Sequence, residues 1–188
     1  GEKFVMLSEL KIGDYACIER TSYNFSETEP LLQQGVTKKL WKNYRLPANM
    51  NPELARLFAY IIAEGNVYPG RITITQHKSL NPELHQDMRD ILSSQFGYVE
   101  NVTKNHDITI GINSAQIANF LTINGVPPAT SRYKKIPDVI FQSGKQSIQN
   151  FIRAFIDAEG SVGKNGIEIS SASEDIITGL QNLLLGFG

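Results

Sequence analysis

The sequence predicts an α+β fold in which one unit, ordered helix–strand–strand–helix–strand–strand–helix (αββαββα), occurs twice in tandem about a pseudo-two-fold axis, the second time incompletely. Three observations lead there. First, LFAYIIAEGNV at 57–67 is matched by IRAFIDAEGSV at 152–162, and the agreement continues downstream. Arg71-ITIT pairs with Gly166-IEIS, and DILSSQFG (90–97) with NLLLGFG (182–188). The offset is 95 residues at the first motif and 91 at the last, a four-residue gap inside one duplicated unit. Second, Asn51-Pro52-Glu53-Leu54 and Asn81-Pro82-Glu83-Leu84 carry the same helix-start signal: a capping Asn, a Pro in the first turn and an early acid facing the helix dipole. Third, Arg71–His77 and Asp107–Asn113 alternate polar and apolar, the period of a strand buried on one face.

Taken in order, LSELKIGDYACIER (7–20) reads as two short strands around a tight Gly13-Asp14 turn. The polar stretch Thr21–Asn49 has no sustained period and reads as a connector, basic at its end (Lys38, Lys39, Lys42, Arg45). The first repeat opens with a helix from Pro52 that stops at Gly65. Strand Arg71–His77 follows, then a helix from Pro82 ending at Phe96 with Gly97 as its C-terminal cap. Tyr98–Lys104 is expected as a further strand, Asp107–Asn113 as another, and Ser114–Ile123 as the closing helix. Ile72, Ile74, Ile108, Ile110 and Ile112 are expected beneath the helices, leaving Arg71, Thr73, Thr75, His77, Asp107, Thr109 and Asn113 on the open face. The second repeat stops at Gly188, where the first has two strands and a helix still to come, so the sequence is read as a fragment. The expected divisions are 1–25, 26–47 (basic connector), 48–128 (first repeat), 129–147 (linker) and 148–188 (second repeat).

Composition narrows the classes. Forty-one per cent hydrophobic and 20% charged residues are enough for a folded core, and no apolar run approaches a membrane span. One cysteine, Cys17, excludes an internal disulfide framework and a Cys-based zinc cage. No secretory signal opens the chain, so an intracellular, cytoplasmic setting is expected. Eighteen Lys and Arg against nineteen Asp and Glu give a net charge of −1, and only the local clusters 38–45 and Arg132, Lys134, Lys135 suit a polyanion.

The chemistry is concentrated in the repeated helix. Ala55, Ala59 and Ala63 lie at spacing four, as do Asn150, Ala154 and Ala158. Small residues on one stripe let two helix backbones approach closely. Pairing along these faces would set Glu64 and Glu159, each followed by glycine, side by side at two helix C-termini. There each carboxylate meets an unfavourable dipole and its neighbour's charge. A divalent cation relieves both, and an all-oxygen site without cysteine or histidine points to Mg²⁺, which supports phosphodiester hydrolysis.

LFAYIIAEG (57–65) and IRAFIDAEG (152–160) resemble the paired motifs of LAGLIDADG homing endonucleases, with Glu in place of the final Asp. Lys135-Ile136-Pro137-Asp138 is similar to the lysine block between the motifs of intein-borne members, and LLLGFG (183–188) to the block after the second. LSELKIGDYACIER looks like the end of a β-rich intein splicing (Hint-like) domain, of which 1–25 would be a remnant. The resemblance implies a monomer with internal pseudo-dimer symmetry whose saddle-shaped sheets straddle double-stranded DNA, carried within a host protein. It implies metal at Glu64 and Glu159 with Gly65 and Gly160, one acid for each strand cut, and Lys135, or its neighbour Lys134, stabilising charge at the scissile phosphate. It places Arg71, Thr73, Thr75, His77, Thr109, Asn113, Glu168, Ser170, Arg132 and Lys134 against DNA. Ile62 stands where the family motif has an Asp, and the splicing nucleophile and terminal His-Asn are absent, so this chain is not expected to splice. The same fold serves non-cleaving DNA-binding regulators and RNA maturases, and an inactive remnant is the third possibility. Elsewhere, His85 and His106 are expected as surface polar residues, Trp41 as a stacking or anchoring ring, and Gly163-Lys164-Asn165-Gly166 as a hairpin turn.

Overall fold

In a computed structural model of the chain, the residues described are 5–9, 11–15, 24–35, 43–99, 108–164 and 166–188. Cys17, Lys38, Lys39, Trp41, Lys42, His106 and Asp107 lie outside them, as does most of the strand expected over 98–104; its described start, Tyr98 and Val99, is not in a strand. Eleven main elements are described: α1 (Pro52–Glu64), β1 (Gly65–Tyr68), β2 (Arg71–Thr75), α2 (Pro82–Phe96), β3 (Thr109–Ile112), α3 (Ala115–Ile123), α4 (Asp138–Phe141), α5 (Lys145–Glu159), β4 (Gly160–Gly163), β5 (Gly166–Ile169) and α6 (Glu174–Leu185). None of these helices is long and apolar enough to cross a membrane.

Several helix ends follow local chemistry. Asn51 caps α1, its side chain accepting from Leu54 N–H at 2.9 Å. Ser114 and Ser173 cap α3 and α6 in the same way. Gly97 closes α2 at φ +66°, with its own N–H on Ser93 O and the Tyr98 N–H on Leu92 O, a turn that a side chain would strain. Asn81, expected as the equivalent of Asn51, sits at the start of α2 but does not cap it: its side-chain amide donates to Gln76 Oε1 instead.

The two repeats have the same register. In the first, β1 and β2 pair Gly65 with Ile74 and Val67 with Ile72; in the second, β4 and β5 pair Gly160 with Ile169 and Val162 with Ile167. β3 adds to the far side of β2, antiparallel, placing Ile112 opposite Ile72 and Ile110 opposite Ile74. Ile72, Ile74, Ile110 and Ile112 are all fully buried, as alternation requires. Ile108 departs from that expectation. It precedes β3 and is 53% exposed, because pairing begins only at Thr109.

α1 is buried nearly all round, from Leu54 to Ile62, and forms the centre of the molecule. Its broadest contact is with α5. Phe58, Phe96, Phe120, Phe151 and Phe155 complete one continuous core that joins both repeats. His85 belongs to that interior rather than to the surface, at 4% exposure, because α2 turns this position inward.

The described connector residues are stitched to both repeats by polar groups acting as stand-ins for a strand. Asn124 accepts from Gln33 N–H and donates to Gln33 O, both at 2.9 Å; Gln116 does the same for Tyr44 at 2.7 and 3.1 Å. Glu29 caps the start of α5 from a distance. Its carboxylate accepts from Ser147 Oγ at 2.6 Å and from Gly144 N–H at 3.3 Å, where the helix itself offers only a glycine. At the N-terminus the Gly13-Asp14 turn is present, with Asp14 N–H on Lys11 O and Gly13 at φ +104°. The preceding Leu7–Glu9 is a single 3-10 turn rather than the expected strand.

Candidate active site

α1 and α5 run parallel and level with each other. Towards their N-terminal halves Arg56 Nη1 donates to Asn150 Oδ1 at 3.3 Å. Arg56 is itself fixed by a bidentate pair with Asp87 of α2, at 2.7 and 3.0 Å, and Asp87 also accepts from Tyr60 Oη at 2.8 Å. Of the small-residue stripes, Ala55, Ala59 and Ala154 are fully buried, and Ala63 and Ala158 partly so.

At the C-terminal end of this pair stand Glu64 and Glu159. Neither helix ends in a loop; each passes directly into a strand, α1 into β1 at Gly65 and α5 into β4 at Gly160. That junction demands glycine. A Cβ on Gly65 would lie 2.7 Å from Ile61 Cα and O, and one on Gly160 2.5 Å from Ile156 O. The acid-before-glycine order shared by both repeats therefore has a steric origin, and it delivers both carboxylates to the root of a hairpin.

Lys134 lies within electrostatic reach of both acids. Its ammonium donates to Ile62 O at 2.9 Å and to Gly65 O at 2.6 Å, closing carbonyls that the end of α1 leaves open. Its own carbonyl accepts from Ser173 Oγ, the cap of α6, at 2.6 Å. This one residue thus ties the end of α1 to the start of α6. Burial lowers the Lys134 ammonium from its ordinary value, against the opposing pull of Glu159 and Glu64. Burial raises the Glu64 carboxyl, with Lys134 opposing it. Burial and then the charge of Glu64 raise Glu159, again with Lys134 opposing. Lys135, the first choice from sequence, is exposed and makes none of these contacts; a strand-like backbone at Lys134 turns neighbouring side chains opposite ways, and 134 is the one that faces the acids.

The expected recognition residues distribute as alternation predicts. On β2, Arg71 and Thr75 are exposed and Thr73 half-buried, opposite buried Ile72 and Ile74. Thr109 stands across from Thr75, Asn113 is exposed just beyond β3, and His77 is half-buried past the end of β2 with Ser79 Oγ 2.9 Å from its Nδ1. Sequence reading passed over Asn66 and Tyr68, which are exposed on β1 and pair with Thr73 and Arg71 on the same face. The signal was there in the alternation of Gly65-Asn66-Val67-Tyr68. Glu168 and Ser170 are exposed in the second repeat, with Ser161 beside Glu168, and Arg132 is exposed in the linker. The expected sites therefore fall into two groups: Glu64, Glu159 and Lys134 come together at the helix ends, and the others lie apart from them, on strand faces, just past strand ends or, for Arg132, in the linker.

Residues 146–188 match the LAGLIDADG-like domain family. The matched segment, 43 of the 188 residues, holds nearly all of α5 with its terminal Glu159, the β4–β5 hairpin and α6, and over that stretch the chain is similar to the family. Curated relatives are more distant. The chain is 26% identical over 188 residues to one component of the A-type ATP synthase of Pyrococcus abyssi, covering 98% of this chain and 18% of that protein. It is 26% identical over 143 residues to the replication factor C small subunit of Methanocaldococcus jannaschii, covering 75% and 8%. A glutamine–fructose-6-phosphate aminotransferase of the same organism is 25% identical over 151 residues, covering 77% and 13%. The chain thus spans less than a fifth of the length of each of these relatives.

Proposed function

We propose that this chain is the DNA-cutting part of an intein-borne homing endonuclease, hydrolysing one phosphodiester bond in each strand of a specific duplex site. One observation carries the reading: two glutamates at matched ends of parallel, closely packed helices, with Lys134 in electrostatic reach of both. Two strands need two cuts, and an internal two-fold supplies two equivalent acids. The relatives support the intein part. Proteins whose names share no activity match the same stretch over a small fraction of their length, which is how an inserted element would be distributed among hosts.

The donor set fits Mg²⁺. Among the described residues no group of three or more His, Cys, Asp or Glu could form a complete cage. A pair of half-buried carboxylates suits an ion that keeps several waters and takes its remaining ligands from substrate phosphate. Burial raises both carboxyls, with the charge of Glu64 adding to the rise at Glu159, so a bound cation would favour their charged forms. Glu64 and Glu159 would hold the ion, which when bound supplies Lewis-acid charge at the scissile phosphate. Lys134 spends two N–H groups on Ile62 and Gly65 and keeps a third for the phosphate or for either acid. Its lowered value makes proton release to a leaving oxygen easier than from an exposed lysine. On the strand faces, Arg71 would bond base edges or phosphate, with Asn66, Tyr68, Thr73, Thr75 and Thr109 beside it.

The test uses the complete reading frame from which this chain comes and a duplex site selected from a randomised library. Glu64→Gln is expected to leave one strand uncut and Glu159→Gln the other, each giving nicked product while binding persists. Cutting of both strands by both variants would sink the two-acid reading. Tight binding without metal-dependent turnover in the unaltered protein would favour a regulator or maturase.

A further inference from the structure

The α1–α5 pair is built from two copies of one helix, yet its two flanks differ in chemistry. With the repeats aligned, Ala55 corresponds to Asn150, Arg56 to Phe151 and Tyr60 to Phe155. The first-repeat flank is polar: Arg56 makes two bonds to Asp87, and Tyr60 Oη donates to the same carboxylate. The second-repeat flank is aromatic, with Phe151 and Phe155 fully buried and stacked at 6.3 Å. From its seat on Asp87, Arg56 reaches across to Asn150 Oδ1 at 3.3 Å, the one hydrogen bond between side chains of α1 and α5 among the described residues. The mirror-image bond has no donor at Phe151 and no acceptor in the side chain of Ala55, so the contact is made once.

We propose that Asn150 and Arg56 are positioning residues for the two acids: their bond sets where α5 lies along α1, and thereby where Glu159 stands relative to Glu64. Small residues let two helices approach closely, but their short side chains give little grip along the axis. A single polar contact in a largely apolar pair supplies that grip, as a lone asparagine fixes the register of a coiled coil. Asp87 stiffens the arm, because a guanidinium held at two points has a fixed plane and aims its remaining N–H groups one way. Glu29 also holds the start of α5, through Gly144 N–H and Ser147 Oγ, but it ties the helix to the connector and not to α1. From Asn150 to Glu159 the helix is unbroken over about 14 Å, so a slip at the bond arrives whole at the acid. The purpose of the pin rests on the two-acid reading above; its geometry does not.

The geometry can be tested without any cutting. In the complete reading frame, nitroxide labels are attached at Glu64→Cys and Glu159→Cys, with every other cysteine replaced, and the dipolar distance between them is measured. Asn150→Ala installs what the first repeat already carries at this place and favours helix, so the fold is retained. The distance distribution is expected to shift or widen by about 1.5 Å, one residue's rise, with Asn150→Ala. Asn150→Asp keeps an oxygen for Arg56 and is expected to restore it. An unchanged distribution with Asn150→Ala overturns the proposal. So does a distribution as wide with Asn150→Asp as with Asn150→Ala, which would mean that any substitution loosens the pair. With both acids intact, Asn150→Ala is expected to raise nicked over linear product about tenfold, again reversed by Asn150→Asp. A distance response in a protein that cuts nothing would sink the nuclease reading and leave the positioning in place. Cutting that needs both acids but is indifferent to Asn150→Ala would do the reverse.

Discussion

The two hairpins of this molecule have the same register and opposite surroundings. In β1–β2 the inward pair Val67 and Ile72 is buried at 6% and 0%; in β4–β5 the matched pair Val162 and Ile167 is exposed at 89% and 61%. Register is thus written locally, by a glycine that forces helix into strand and by alternation along four residues. Burial is not. It depends on a third strand and a helix from elsewhere in the chain, present over the first hairpin and absent over the second among the described residues. The same division separates the placing of the two acids from stability: the acids need only the helix ends, whereas the core needs the covering layer.

The sharpest way to break this comparison is to truncate matched positions on α1 and α5. Phe58 is fully buried, and its counterpart Arg153 has a side chain 82% exposed. Phe58→Ala is expected to cost about 3–5 kcal/mol in denaturant unfolding, from lost transfer energy and a cavity. Arg153→Ala is expected to stay within about 0.5 kcal/mol, as surface substitutions do. Comparable losses at both positions would mean that α5 is covered as thoroughly as α1.

A second pair should behave alike where the first differs. Gly65→Ala and Gly160→Ala place a Cβ against the backbone of Ile61 and of Ile156, at 2.7 and 2.5 Å. Each is expected to cost about 1–3 kcal/mol, because the overlap is with main chain that cannot rotate away. Equal costs would show that the junction is an autonomous feature of each repeat. A loss at Gly65 alone would tie it to the covered hairpin.

These pairs also mark how far the amino-acid sequence could be read. The start of α1 at Asn51, its end at Gly65 and the Gly97 cap follow from local signals, and the matching of Glu64 with Glu159 follows from the duplicated motif. What escaped depends on distant partners. Asn81 carries the same start signal as Asn51, but Gln76 takes its side chain. His85 looks like a surface residue until α2 is placed against the core. Glu29 caps a helix more than a hundred residues away, which no local pattern encodes. The choice of Lys134 over Lys135 turns on which of two adjacent side chains faces the end of α1, and that is decided by the anchoring of Ile136 against α6, near Gly179.

The smallest expected effect concerns the acids themselves. Both have folded-state values raised above the ordinary carboxylate range, chiefly by burial. An acid raised in this way contributes stability that is fully present below its unfolded value, near 4.3, and that is lost as pH rises through the folded value. At neutral pH the fold therefore carries two charged carboxylates at a cost, partly offset by Lys134. Glu64→Gln and Glu159→Gln remove the charge and are expected to raise Tm at pH 7 by a few degrees at most. The difference from the unaltered chain should vanish below about pH 4, where both forms are neutral. Millimolar Mg²⁺ should sharpen the contrast, raising the Tm of the unaltered chain by binding the folded state and leaving a Glu64→Gln, Glu159→Gln double variant where it was. A double variant that loses stability at pH 7 would mean that the acids are structural partners of Lys134 before they are anything else.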